Sequence, residues 1–173
     1  LPLFAELCYN ACDHRTGRRR EFFPAPAGFL KQRVTAPLDK LEVLKRVFGH
    51  ESFREGQEQL VDELLGGHDV LGVMPTGAGK SVCYQLPALM LEGITLVISP
   101  LISLMKDQVM ALKASGVAAA YINSSLTPGQ QAEAIRRAAA GAYRIIYVAP
   151  ERLDMPSFLA FAQKARIPLL AVD

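Results

Sequence analysis

The run Met74-Pro75-Thr76-Gly77-Ala78-Gly79-Lys80-Ser81 constrains this chain more than any other stretch of it. It stands between a short apolar segment, Val70-Leu71-Gly72-Val73, and a helical pattern from about Gly79 to Leu91. Gly77 and Gly79 permit backbone conformations, and a close approach to a ligand, that a side chain would block. A strand that turns through such a loop into a helix leaves successive N–H groups and the positive helix end facing outward, which makes an anion cradle. Lys80 adds a point charge suited to β- and γ-phosphates, and the Ser81 hydroxyl is of the type that ligates Mg2+. Thr76, Gly77, Ala78, Gly79, Lys80 and Ser81 are therefore the candidate phosphate-binding residues.

The surrounding pattern fits a sheet that can hold such a loop. Leu38, Leu41, Leu44, Val47 and Phe48 recur at helical spacing and end near Gly49; a second helix is expected from Gly56 to Leu65, closed by Gly66-Gly67. Short apolar strands are expected at Val70–Val73, Thr95–Ile98, Ala119–Ile122, Ile145–Val148 and Leu169–Val172. Helices fall between them, one with Leu101, Met105, Val109 and Leu112 on its inner face. Another opens at Thr127-Pro128-Gly129-Gln130, with Thr127 as cap, Pro128 in the first turn and Gln130 completing a capping box. Apolar strands without alternation are buried on both faces, and long helical crossovers require parallel pairing. The fold class is α/β, a doubly wound, mostly parallel sheet with flanking helices, which binds ligands at the carboxyl ends of its strands.

Bulk properties exclude several other classes. Half of the 173 residues are hydrophobic and 21% are charged, which suits a packed core. No apolar run approaches the ~18–20 residues that cross a bilayer, and the start lacks the plan of a signal peptide; no membrane partner and a cytoplasmic location are expected. Cys8, Cys12 and Cys83 make no disulfide framework, and Cys8, Cys12 and His14 lack a fourth ligand at zinc spacing. The net charge of +2 arises from residues 1–36, which hold six of the 19 basic and three of the 17 acidic residues. That segment is expected to be a basic, poorly ordered extension, with residues 37–173 forming the domain. Overall charge gives no nucleic-acid footprint, so that case rests on motifs.

Five further motifs stand along the chain. Phe48-Gly49, His50, Phe53-Arg54 and Gln57 form F-G-x-x-x-F-R-x-x-Q, and a planar amide can pair with both N6 and N7 of adenine. Ser99-Pro100-Leu101-Ile102-Ser103-Leu104-Met105-Lys106-Asp107-Gln108-Val109 follows the second of the expected strands, where a hydroxyl and free N–H groups at a helix start suit a backbone phosphate. Tyr147-Val148-Ala149-Pro150-Glu151-Arg152-Leu153 ends the fourth, and Asn123-Ser124-Ser125 ends the third. Leu169–Val172 delivers the Asp173 carboxylate to a strand tip, an arrangement that holds Mg2+. Arg152 suits either a nucleic-acid contact or an ion pair, and Lys106 either a phosphate or solvent.

Together these motifs resemble the RecQ family of superfamily 2 helicases, nearly continuously over residues 38–173; the P-T-G-x-G-K-S form, with Met74 where many P-loops have glycine, is similar to that superfamily's. The resemblance implies a first RecA-like domain of a P-loop NTPase, with ATP and Mg2+ as cofactors and Lys80 and Asp173 as catalytic residues. It implies that His50 stacks on the adenine while Arg54 and Gln57 bond its edge, and that Ser81 and Asp173 hold the metal. Ser99, Pro100, Leu101, Ser103, Lys106, Asn123 and Arg152 are implied as nucleic-acid contacts. Its other implications are 3′-to-5′ unwinding of DNA at single-strand/duplex junctions, work in repair or recombination, and a second RecA-like domain. In the family the strand-tip acid continues as D-E-A-H, whereas this sequence ends at Asp173. A truncated sheet with exposed apolar surface, and ATP binding without efficient turnover or unwinding, are therefore expected. A DEAD-box RNA helicase, a P-loop kinase or metabolic ATPase, and a non-catalytic binding module are the rival readings.

Overall fold

The computed structural model describes residues 39–173. The basic segment 1–36, and with it Cys8, Cys12 and His14, lies outside the described residues, as does Leu38. Among the described residues, no helix is long and apolar enough to cross a membrane.

Helix α1 (Lys40–Phe48) starts where the Asp39 carboxylate accepts a hydrogen bond from the Leu41 N–H, and it ends at Gly49, whose φ of 71° is left-handed. It buries Val43 and Leu44. Helix α2 (Gln57–Leu65) buries Val61 and follows Gly56, also left-handed at φ 77°. Lys40 ties the two helices, its ammonium lying 2.6 Å from Asp62 and 2.9 Å from Glu58. The carboxylates are largely exposed, so these pairs contribute no more than about 1 kcal/mol each. Both helices pack on α3 (Lys80–Met90), the helix that leaves the Gly-rich loop.

Four strands follow: β1 (Thr95–Ile98), β2 (Ala119–Ile122), β3 (Ile145–Val148) and β4 (Leu169–Val172). All pair in parallel in the order β2-β3-β1-β4. Helices α4 (Ile102–Ala114), α5 (Pro128–Ala139) and α6 (Pro156–Ala162) occupy the crossovers. Tyr84 and Ala88 of α3 and Met105, Val109 and Leu112 of α4 pack with Val97, Ala119, Ile145, Tyr147 and Leu169, which share one face of the sheet. Leu96, Ile98, Ile146 and Val148 point to the opposite face and are equally buried, so both faces are covered. The α/β class with a parallel sheet is thus as the sequence implies, and α5 carries the expected capping box between Thr127 and Gln130.

Two expectations are corrected. No strand forms at Val70–Val73; the segment pairs with neither sheet edge, and Leu71 and Val73 are each 91% exposed. A β segment needs a ladder partner for its N–H and C=O groups. Here the nearest packing comes from α2, where Leu60 lies under Gly72. The loop is therefore positioned from its helix side. Leu101 is the other case: it is exposed, not inward, because it is the extended residue before α4 rather than a member of its buried face.

Register aligns the strand tips. The Ser99 N–H donates to the Val148 carbonyl (3.2 Å), that of Ala149 to Ile122 (3.0 Å) and that of Asp173 to Ile98 (2.9 Å). Ser99, Asn123, Ala149 and Asp173, each one residue beyond its strand, thus form one carboxyl edge.

Candidate functional site

The Gly-rich loop is shaped by residues upstream of it. Gly77 and Gly79 adopt left-handed φ values of 82° and 81°, and the Ala78 N–H closes a turn on the Pro75 carbonyl at 3.2 Å. Arg54 Nη1 donates to the Gly77 carbonyl at 2.6 Å, and Gln57 Nε2 donates to those of Ala78 (3.0 Å) and Gly79 (3.1 Å). Gln57 is only 2% exposed, and its Oε1 accepts from the Arg54 N–H at 2.8 Å.

This grip decides where the loop's donors point. In a trans peptide the N–H lies opposite the C=O, and the described chain has no cis bonds. Holding the Ala78 and Gly79 carbonyls against Gln57 turns the N–H groups of Gly79 and Lys80 to the other side. Among the described residues, the N–H groups of Gly77, Gly79, Lys80 and Ser81 have no hydrogen-bond acceptor. Unpaired donors at the start of the eleven-residue α3 match the demand of a phosphate chain. Lys80 is exposed beside them and has no ion-pair partner among the described residues. Thr76 is exposed on the same loop.

The metal-type residues meet through a buried tyrosine. The Tyr84 hydroxyl, one turn beyond the loop, donates to Asp173 Oδ2 at 3.0 Å and lies beside the Ser81 hydroxyl. Tyr84 also faces the Tyr147 hydroxyl at 3.5 Å, and Gln85 Nε2 donates both to Tyr147 (2.8 Å) and to Gln108 Oε1 (2.7 Å). Burial raises both phenols above the ordinary tyrosine range, so each remains an O–H donor. Ser81 and Asp173, an alcohol and a carboxylate from different elements brought to one phenol, are a hard-oxygen donor set that fits Mg2+. The loop's free N–H groups and Lys80 fit the triphosphate that such a cation accompanies.

The remaining motif residues divide by exposure. Pro100, Leu101, Ser103 and Lys106 are exposed at the carboxyl edge. Ser99 is buried, its Oγ accepting from the Leu101 N–H at 3.4 Å. Asn123 is 0% exposed; its Oδ1 accepts from the Ser125 N–H (3.0 Å) and hydroxyl (2.7 Å), and Gln131 pins its carbonyl at 3.2 Å. Ser99 and Asn123 therefore hold loops in shape here, while their neighbours Pro100 and Ser124 form the surface. Arg152 is half-buried in a 3-10 turn (Pro150–Arg152), with Nη1 3.8 Å from Met155 Sδ and Nε unpartnered among the described residues. No carboxylate pairs with it there. His50 is exposed just past α1.

Sequence reasoning passed over Tyr84, Gln85 and the role of Gln108. A signal was present: Tyr84-Gln85 interrupts the apolar run Val82-Cys83…Leu86-Pro87-Ala88, and buried polar side chains in such a run must find partners.

Comparison with known proteins identifies the family. The family model described as DEAD/DEAH box helicase matches residues 54–172. The ATP-dependent DNA helicase RecQ of Haemophilus influenzae is 49% identical over 133 residues, covering 77% of this chain and 22% of the relative. That of Bacillus subtilis is 47% identical over 132 residues, 76% of this chain and 22% of the relative. The crystal structure of a hypothetical ATP-dependent RNA helicase from Sulfolobus tokodaii superposes with a TM-score of 0.55 at 25% identity, over 66% of this chain and 34% of that one. The chain spans about a fifth of the length of these two curated relatives.

Proposed function

This chain belongs to the DEAD/DEAH box helicase family, with relatives among the RecQ DNA helicases, and from that premise we propose that it is the ATP-binding motor domain of a 3′-to-5′ DNA helicase. The observation that carries the reading is the loop held by Arg54 and Gln57, which carries free N–H groups, Lys80 and Ser81 and whose helix reaches Asp173 through Tyr84.

In this reading the N–H groups of Gly77, Gly79, Lys80 and Ser81 bind the phosphates, and Lys80 draws charge toward the β- and γ-oxygens. Ser81 and Asp173 would hold Mg2+, which neutralises charge developing on the phosphate oxygens. His50 stacks on the adenine ring and Arg54 reads its edge, while Gln57, buried with its amide committed to the loop carbonyls and the Arg54 N–H, fixes the loop instead of meeting the base. The exposed residues Pro100, Leu101, Ser103 and Lys106, with Arg152, meet the backbone of a DNA strand near a single-strand/duplex junction. A second RecA-like domain completes the cleft in the whole protein.

The test is calorimetry of Mg-ATP on the chain and on Lys80→Ala. Loss of one charged hydrogen-bonding partner predicts a fall in affinity of about tenfold or more. Equal affinities would remove the motor reading. An RNA-directed reading draws on the structural likeness to the Sulfolobus tokodaii protein, and it predicts that single-stranded RNA outcompetes DNA of the same sequence.

A further inference from the structure

Five side chains from four elements form a line through an otherwise apolar core. Gln108 on α4 accepts from Gln85 on α3, Gln85 donates to Tyr147 on β3, Tyr147 faces Tyr84 on α3, and Tyr84 donates to Asp173 beyond β4. Tyr84, Gln85 and Tyr147 are buried. Gln85 donates to both sides of the line. Both Gln85 N–H groups are committed, one to Gln108 and one to the Tyr147 oxygen. Tyr147 then has its own O–H to give to Tyr84, whose O–H goes to the carboxylate. The Tyr84 hydroxyl donates to Asp173 at 3.0 Å, and the 3.5 Å contact between the two phenols, in which either oxygen can donate, joins that bond to the rest of the line. Apolar side chains of the same shape would fill this space without requiring that each polar atom find a partner. What the line achieves beyond packing is a fixed position for one exposed carboxylate at the end of an edge strand.

We propose that Tyr84 is the positioning residue for the Asp173 carboxylate, and that Gln108, at the far end of the line on α4, is its remote anchor. The proposal rests on the nucleotide-binding reading above. Among the described residues, the one side-chain hydrogen bond to the Asp173 carboxylate comes from Tyr84. Tyr84 supplies it from the same helix that carries Ser81, so the alcohol and the acid keep a common reference. Gln108 belongs to the helix that follows the exposed Pro100–Ser103 surface. A displacement of α4 thus changes the Gln85 amide, then the two phenols, then the carboxylate, which gives a physical route between that surface and the metal ligands.

The experiment titrates ATP binding against Mg2+ by calorimetry for the chain, Tyr84→Phe and Gln108→Leu, with thermal melting as a control for the fold. Tyr84→Phe removes one oxygen from a buried site and keeps the ring. Expected is ATP affinity without Mg2+ within about twofold of the parent, and a half-saturating Mg2+ concentration raised about three- to tenfold, the range for one hydrogen bond to a charged group. Gln108→Leu is expected to raise it in the same direction by a smaller factor. A merely structural role would shift melting and both affinities together. An unchanged Mg2+ dependence in Tyr84→Phe overturns the proposal, and an unchanged one in Gln108→Leu overturns the anchor. If the parent chain shows no Mg2+-dependent ATP binding at all, the nucleotide-binding reading itself fails.

Discussion

Gly77 and Gly79 show how two identical residues in one loop carry different constraints. Both have left-handed φ, which costs an L-residue roughly 1–2 kcal/mol. A Cβ on Gly77 would meet nothing within 4 Å, whereas one on Gly79 would stand 2.6 Å from Gln57 Nε2. That amide cannot simply step aside, because it holds two loop carbonyls. Gly77→Ala should therefore lower stability by about 1 kcal/mol, and Gly79→Ala by more, with loss of ATP binding. Adding Gln57→Ala to Gly79→Ala removes the clash but neither the backbone strain nor the lost grip, so ATP binding should stay lost. Urea unfolding and calorimetry on the parent and the three variants check this; recovery of binding in the double variant would contradict it. The importance of both glycines was legible in the G-x-G-K-S spacing. The reason Gly79 is the stricter of the two lies 22 residues upstream, at Gln57, and no local pattern reveals it.

At the scale of elements, local chemistry predicted best where the controlling contacts are local. The start of α5 is such a case: the Gln130 N–H donates to Thr127 Oγ1 at 3.3 Å, and Gln130 Oε1 accepts from the Thr127 N–H at 2.9 Å. Both partners lie within one turn, so the sequence alone implies them. Thr127→Ala should lower stability by about 1 kcal/mol, read as a lower urea midpoint at unchanged slope, with ATP affinity unaltered because α5 is remote from the loop. A drop well below half that value would show that the capping box contributes little. The strand expected at Val70–Val73 failed for the opposite reason. Its residues have β character, but a strand exists only beside a partner, and the partner is a property of the sheet. Leu101 failed similarly: its spacing suits the α4 face, yet it lies before the first helical residue.

At the scale of the sheet, β4 is paired on one side only among the described residues. Val172 is 70% exposed there, and the unpaired segment before the loop exposes Leu71 and Val73. Unpaired edges and exposed branched side chains promote association. Sedimentation velocity should show concentration-dependent self-association of the chain, reduced in Leu71→Lys/Val73→Lys; equal association in both would mean that another surface is responsible. What the sequence by itself determined is the content of most elements and the Gly-rich loop proposed to bind phosphate, because apolar periodicity, caps and glycine spacing act over a few residues. Only the tertiary structure decided that Arg54 and Gln57 turn the loop's donors outward, that Ser99 and Asn123 face inward, and that Tyr84 ties Ser81's helix to Asp173. Those outcomes depend on which atoms packing brings within about 3 Å, and a linear sequence does not contain that distance.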